Sequence, residues 1–180
     1  TGYVITEEAG LTCVDLHSVG GQMTDASYWK DVRFTDADDW CMEAWLRVVD
    51  DGTEPNYGLA CFVRSDHGRT VALYLSETQV GINSRKPPHD HRTLKAIAAN
   101  TTDAFHWYRM VHTGGEEGVV TVAVDGESVL SIPYSDLFRR TDTGQNVVFG
   151  PNAADCEGRM RVARYGFRVG RTDPIFGPVQ

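Results

Sequence analysis

Trp40-Cys41-Met42-Glu43-Ala44-Trp45-Leu46-Arg47-Val48 is the stretch that decides the fold. Met42, Ala44, Leu46 and Val48 alternate with Glu43, Trp45 and Arg47, the two-residue period of a strand that buries one face and keeps the other polar. Outward from this stretch, similar short alternation recurs at 3–6, 11–17, 28–34, 58–64, 70–76, 79–83, 93–98, 105–112, 119–124, 128–132, 146–149 and 160–169. Turn residues break it at Asp50-Asp51-Gly52, Ser65-Asp66-His67-Gly68 and the Gly114–Gly118 run. Asp125-Gly126 is the sharpest of these signals. Both residues tolerate positive φ, so they predict a tight hairpin after Val124. A short helix is expected over 134–140, with Ser135 as its cap and Pro133 ending the strand before it. The fold class read from this pattern is all-β, a two-sheet antiparallel jelly-roll sandwich with one short helix. Its core is expected to include Met42, Leu46, Val63, Leu73, Val122 and Val124.

With 180 residues, the chain is expected to form one domain over 1–180, and no linker, repeat or low-complexity tract divides it. The balance of 41% hydrophobic and 23% charged residues is that of a folded globule, which excludes disordered and collagen-like chains. A net charge of −8 disfavours a general electrostatic grip on nucleic acid or anionic membrane. No run of about 18 apolar residues is present to span a bilayer. Thr1 in place of an initiator Met suggests a mature or excised segment. Cys13, Cys41, Cys61 and Cys156 show no C-x-x-C spacing, which argues against a zinc knuckle or a redox pair. Cys41 and Cys61 read as buried free thiols, and Cys13 with Cys156 as the first pair to consider for a bridge.

Three segments together resemble the concanavalin A-like lectin/glucanase superfamily, in particular its laminin-G-like jelly rolls. They are the 40–48 stretch, then Phe105-His106-Trp107-Tyr108-Arg109-Met110-Val111 with the following strand that ends in Asp125-Gly126, and last Val148-Phe149-Gly150 with the long closing strand 158–169. The resemblance implies a convex and a concave sheet, glycans held on the concave face or rim, and a secreted or extracellular setting. It does not by itself imply catalysis, and the absence of the Glu-x-Asp-x-x-Glu run of the glucanases and of the Arg-Ser/Thr-Glu-Leu and Gln-x-His signatures of alginate lyases weakens an enzyme assignment.

Taken with the alternation, the resemblance makes Glu43, Trp45, Arg47, Arg64, Tyr74, His106 and Tyr108 the candidate ligand-binding residues on one concave surface. Trp45 would stack on a sugar ring while Glu43 and Arg47 bond its hydroxyls or carboxylates. The plainer alternative is an inter-strand Glu–Arg pair beside a partly buried Trp. A lyase or hydrolase of the same fold would draw acid–base roles from His106, Tyr108 and Glu43, and a laminin-G-like domain would instead bind a protein partner. Arg161, Arg164 and Arg168, flanked by Arg159 and Arg171, form a basic stretch that reads first as solvated edge-strand arginines and otherwise as a contact for an anionic glycan; strict alternation splits it, with Arg161 on one face and Arg164 and Arg168 on the other. No cofactor is required by any motif. The resemblance allows a structural calcium, for which Asp36, Asp38 and Asp39 offer hard oxygen ligands, and His89-Asp90-His91 offers two imidazoles for zinc without an identified third ligand.

Overall fold

The computed structural model describes residues 2–18, 28–52, 59–64, 68–86, 90–139, 146–150 and 158–177. Among the described residues, thirteen strands run in the order β1 (Gly2–Glu8), β2 (Leu11–Ser18), β3 (Tyr28–Lys30), β4 (Trp40–Asp50), β5 (Leu59–Arg64), β6 (Thr70–Leu75), β7 (Gln79–Lys86), β8 (Asp90–Ala98), β9 (His106–Thr113), β10 (Val119–Val124), β11 (Glu127–Pro133), β12 (Asn146–Phe149) and β13 (Gly158–Val169). They form a seven-stranded sheet, β1-β2-β13-β4-β9-β10-β11, and a six-stranded sheet, β3-β12-β5-β6-β7-β8. All neighbours pair antiparallel, and the two sheets make the sandwich that the alternation predicts.

The core lies between the sheets because each strand turns its apolar set inward. From the seven-stranded sheet come Trp40, Met42, Leu46, Met110 and Val122, and from the six-stranded sheet Val71, Leu73, Leu75, Val80 and Ile82. Of the expected core residues, Met42, Leu46, Leu73 and Val122 are fully buried and Val124 packs at the margin. The Val63 side chain lies outside the described residues. Asp125 and Gly126, at φ 51 and 91, form the two-residue turn between β10 and β11. This positive φ is the conformation that Asp-Gly reaches at least cost.

Two expectations are corrected. In place of a helix over 134–140, only Tyr134–Asp136 makes a single 3-10 turn, and Leu137 is already extended at ψ 142. The Tyr134 hydroxyl donates to the buried Asp36 carboxylate at 2.8 Å, and Leu137 is sealed in the core, so tertiary contacts hold this segment open. Cys13 is a buried free thiol, which removes the bridge to Cys156; Cys156 itself lies outside the described residues. Cys41 is free and buried as expected, while the Cys61 side chain is not described.

Candidate functional site

The polar side of β4 is the outer face of the seven-stranded sheet. Register places Trp107 opposite Trp45 and Arg109 opposite Glu43 on β9. On the other flank, β13 sets Arg161 opposite Arg47. Strict alternation would then send residue 164 inward, but a bulge between Val162 and Arg164 inserts one extra residue and pairs Arg164 with Trp45 instead. Beyond the bulge, Tyr165 and Phe167 pack toward the core while Arg168 stands opposite Cys41 on the outer side. The basic stretch is therefore not split: Arg161, Arg164 and Arg168 share the face that carries Trp45 and Arg47. The slip was visible in the sequence as a change of apolar phase, from Met160 and Val162 to Tyr165, Phe167 and Val169.

Ion pairs knit this face to the sheet edge. Glu8 accepts from Arg47 at 2.7 Å and from Arg161 at 2.5 Å. Asp15 takes a bidentate contact from Arg159 at 2.7 and 2.6 Å and a third bond from Arg161 at 3.0 Å. The Arg159 hydrogen bond holds the Asp15 carboxyl below its usual range against the opposing effect of burial, and Arg161 adds to it. Arg164 is exposed and, among the described residues, no hydrogen bond or ion pair engages it. Arg47 gives one nitrogen to Glu8 and keeps a buried Nε–H without an acceptor.

Glu43, expected to meet a ligand, is instead sealed at 0% exposure. The C-terminal segment 172–177 lies across it. Main-chain N–H groups of Ile175 and Phe176 donate to its two oxygens at 2.9 and 3.0 Å, Trp107 Nε1 donates at 3.3 Å and Arg109 Nε at 3.1 Å. A buried carboxylate is tolerable only with such a set of donors. Gly166 lets the strap approach, since a Cβ there would sit 3.1 Å from Ile175. At the end of the strap, Gly177 O accepts the Trp45 Nε1–H at 3.3 Å, which fixes the half-buried indole. No sequence motif marks this strap.

The remaining candidates do not join this surface. His106 and Tyr108 are opposite Leu46 and Ala44, so they point between the sheets. Tyr108 is fully buried with an unpartnered hydroxyl, and burial raises its pKa. His106, at the margin, is held between Asp125 (Nδ1, 2.7 Å) and Asp103 (Nε2, 3.0 Å). Tyr74, buried, shares with Thr70 and Ala72 the outer face of the other sheet, away from the Val71, Leu73 and Leu75 that feed the core. The backbone of Arg64 pairs with Thr70, and its side chain lies outside the described residues. The expected single surface is thus not formed: Trp45 and Arg47 lie on the outer face of one sheet, His106 and Tyr108 point between the sheets, and Tyr74 lies on the outer face of the other. The acid–base trio His106, Tyr108 and Glu43 is likewise not assembled, because strand alternation sends Glu43 to the opposite side of the sheet from the other two.

Asp36, Asp38 and Asp39 also fail to converge. Asp36 receives Tyr134 and Arg139, Asp38 caps Thr35 N at 2.7 Å, and Asp39 accepts Gly114 N at 2.9 Å. Among the described residues, Asp50, Asp51 and Glu77 are the acids close enough to share a cation, with ligand oxygens within 4.8 Å of one another; such groups are common without an ion. His89 lies outside the described residues, as do the side chains of Asp90 and His91. Among the described residues, no helix is long and apolar enough to cross a membrane.

No family model matches the chain, and no curated protein matches it in sequence. Solved structures do. A conserved carbohydrate esterase from Shiga toxin-encoding bacteriophage phi24B superposes with a TM-score of 0.63 at 10% identity, covering 94% of this chain and 87% of that one. The binding domain of botulinum neurotoxin serotype G gives 0.55 at 12% identity, covering 94% of this chain and 41% of its own. The binding domain of Paraclostridial mosquitocidal protein 1 gives 0.55 at 14% identity, covering 93% and 42%. The chain spans about two fifths of the length of these toxin binding domains. At such identities the likeness establishes a shared all-β sandwich fold.

Proposed function

We propose that the chain is a carbohydrate-binding β-sandwich of the concanavalin A-like kind, acting outside the cell on a poly- or oligosaccharide. The observation that carries the reading is Trp45, a half-buried indole in mid-strand with its N–H tied to Gly177 and arginines at its side. An aromatic ring held in one orientation on a sheet offers a flat apolar surface to the apolar face of a sugar, while Arg47 and Arg164 supply donors for its oxygens. The fold neighbours support this reading. One is named as a carbohydrate esterase, and a botulinum neurotoxin binding domain is described in complex with SialylT.

Binding without turnover is the expected activity, since Glu43 spends its carboxylate on the strap and Tyr108 is enclosed in the core. A glycan array followed by titration of the hits tests the proposal. Affinity for at least one oligosaccharide is expected, with loss of binding in Trp45→Ala while the melting transition stays cooperative. Reducing ends or unsaturated products released from the hits would shift the reading to an enzyme. Silence across the array would overturn the carbohydrate reading in favour of a protein partner.

A further inference from the structure

Trp45, Arg47, Arg161 and Arg164 form a two-by-two block on adjacent strands. Arg164 stands opposite Trp45, and Arg161 opposite Arg47. Same-face neighbours along a strand lie about 7 Å apart and paired residues across strands about 5 Å, so the block is comparable in size to a sugar ring with one substituent. With Arg159 beside it, the patch holds four arginines against the carboxylates of Glu8 and Asp15 and, opposite Arg159, that of Asp50. This local excess of positive charge occurs in a chain of net charge −8.

One observation shows that the positive charge is not fully spent internally: Arg164 is exposed and unengaged among the described residues. Arg164 occupies this face only because of the bulge in β13; without it the chain would bury a guanidinium or turn the strand's apolar residues outward. A bulge that re-aims one cation to the side of a fixed indole builds a pairing of stacking surface and anion receptor.

We infer that this block binds an acidic sugar, with the ring against Trp45 and its carboxylate or sulfate on Arg164 and Arg47. The inference rests on the carbohydrate reading and narrows it to anionic glycans. Guanidinium groups suit this task because their forked donors match the paired oxygens of carboxylate and sulfate.

The test uses three hexasaccharides titrated against the whole chain: a hyaluronan fragment bearing carboxylates, its carboxyl-reduced neutral counterpart, and a heparin-derived fragment bearing sulfates. At least one acidic fragment is expected to bind about tenfold or more tighter than the neutral one, an advantage that shrinks as salt rises. Arg164→Gln should remove about that factor without lowering the melting temperature, whereas Arg92→Gln, on β8 of the other sheet, should leave it unchanged. Retention of that advantage after Arg164→Gln overturns the site. Equal affinity for the neutral and acidic fragments overturns the anionic assignment and leaves the carbohydrate reading standing. If none of the three binds while the array yields other glycans, the assignment fails alone; if the array is also silent, the carbohydrate reading fails with it.

Discussion

Glu43 Oε1 accepts the main-chain N–H of Ile175 at 2.9 Å, a bond that joins mid-strand β4 to a residue 132 positions later. With Phe176 N on the other oxygen, this one carboxylate clamps the C-terminal strap over Trp107 and Arg109. A carboxylate expected to meet a ligand is thus an internal tie.

Replacing Glu43 with Ala is expected to cost about 3–5 kcal/mol, because it leaves the Arg109 Nε–H, the Trp107 Nε1–H and two part-buried amides without their acceptor. Glu43→Gln should also destabilise, since its NH2 group faces N–H donors. Urea unfolding of the two variants measures this, and a change below about 1 kcal/mol in Glu43→Ala would show that the clamp contributes little.

Tyr108→Phe is expected to be neutral or stabilising, since the hydroxyl is buried without a partner and its removal ends that desolvation cost. Chemical denaturation reads the difference. A clear loss of stability would mean that the hydroxyl has a partner in solution.

Burial disfavours the His106 imidazolium, but hydrogen bonds to Asp125 and Asp103 outweigh it and the pKa is raised from 6.5. A folded-state pKa above the unfolded value means that the stabilisation is complete below about pH 6.5 and is lost as pH rises through the folded value. The melting temperature of the parent should therefore fall relative to His106→Gln as the pH is raised from 6 to 9, by about the same route in any buffer. Parallel profiles for the two proteins would count against the stabilising contacts of His106 with Asp125 and Asp103.

Burial pushes the Cys41 thiol up to about 11. At pH 8 it is therefore almost wholly protonated, and iodoacetamide should label it slowly in the folded chain and quickly in urea. Mass-spectrometric peptide mapping distinguishes Cys41 from the other cysteines, and rapid native labelling would contradict its enclosure.

The strands were legible because each writes its burial locally: the alternation of Met42, Ala44, Leu46 and Val48 needs no knowledge of the partner strand. Asp125-Gly126 was legible for the same reason, since its φ preference belongs to the two residues themselves. Long-range placement was not. Alternation says that Glu43 and Trp45 share a face, and so do His106 and Tyr108, but not which face is inward when His106, Tyr108, Met110 and His112 alternate with Phe105, Trp107, Arg109 and Val111. Pairing with β4 decided it, by setting Tyr108 against Ala44 on the core side. The tertiary structure likewise turned Glu43 from an open acid into a sealed one, because the donors that satisfy it arrive from 107, 109, 175 and 176. The closing strand stands between these cases. Its apolar phase slip is written in the sequence, yet only hydrogen-bonded pairing with β4 fixed the bulge that brought Arg164 beside Trp45, because a strand's face is defined by its neighbour and the space on either side rather than by its own residues.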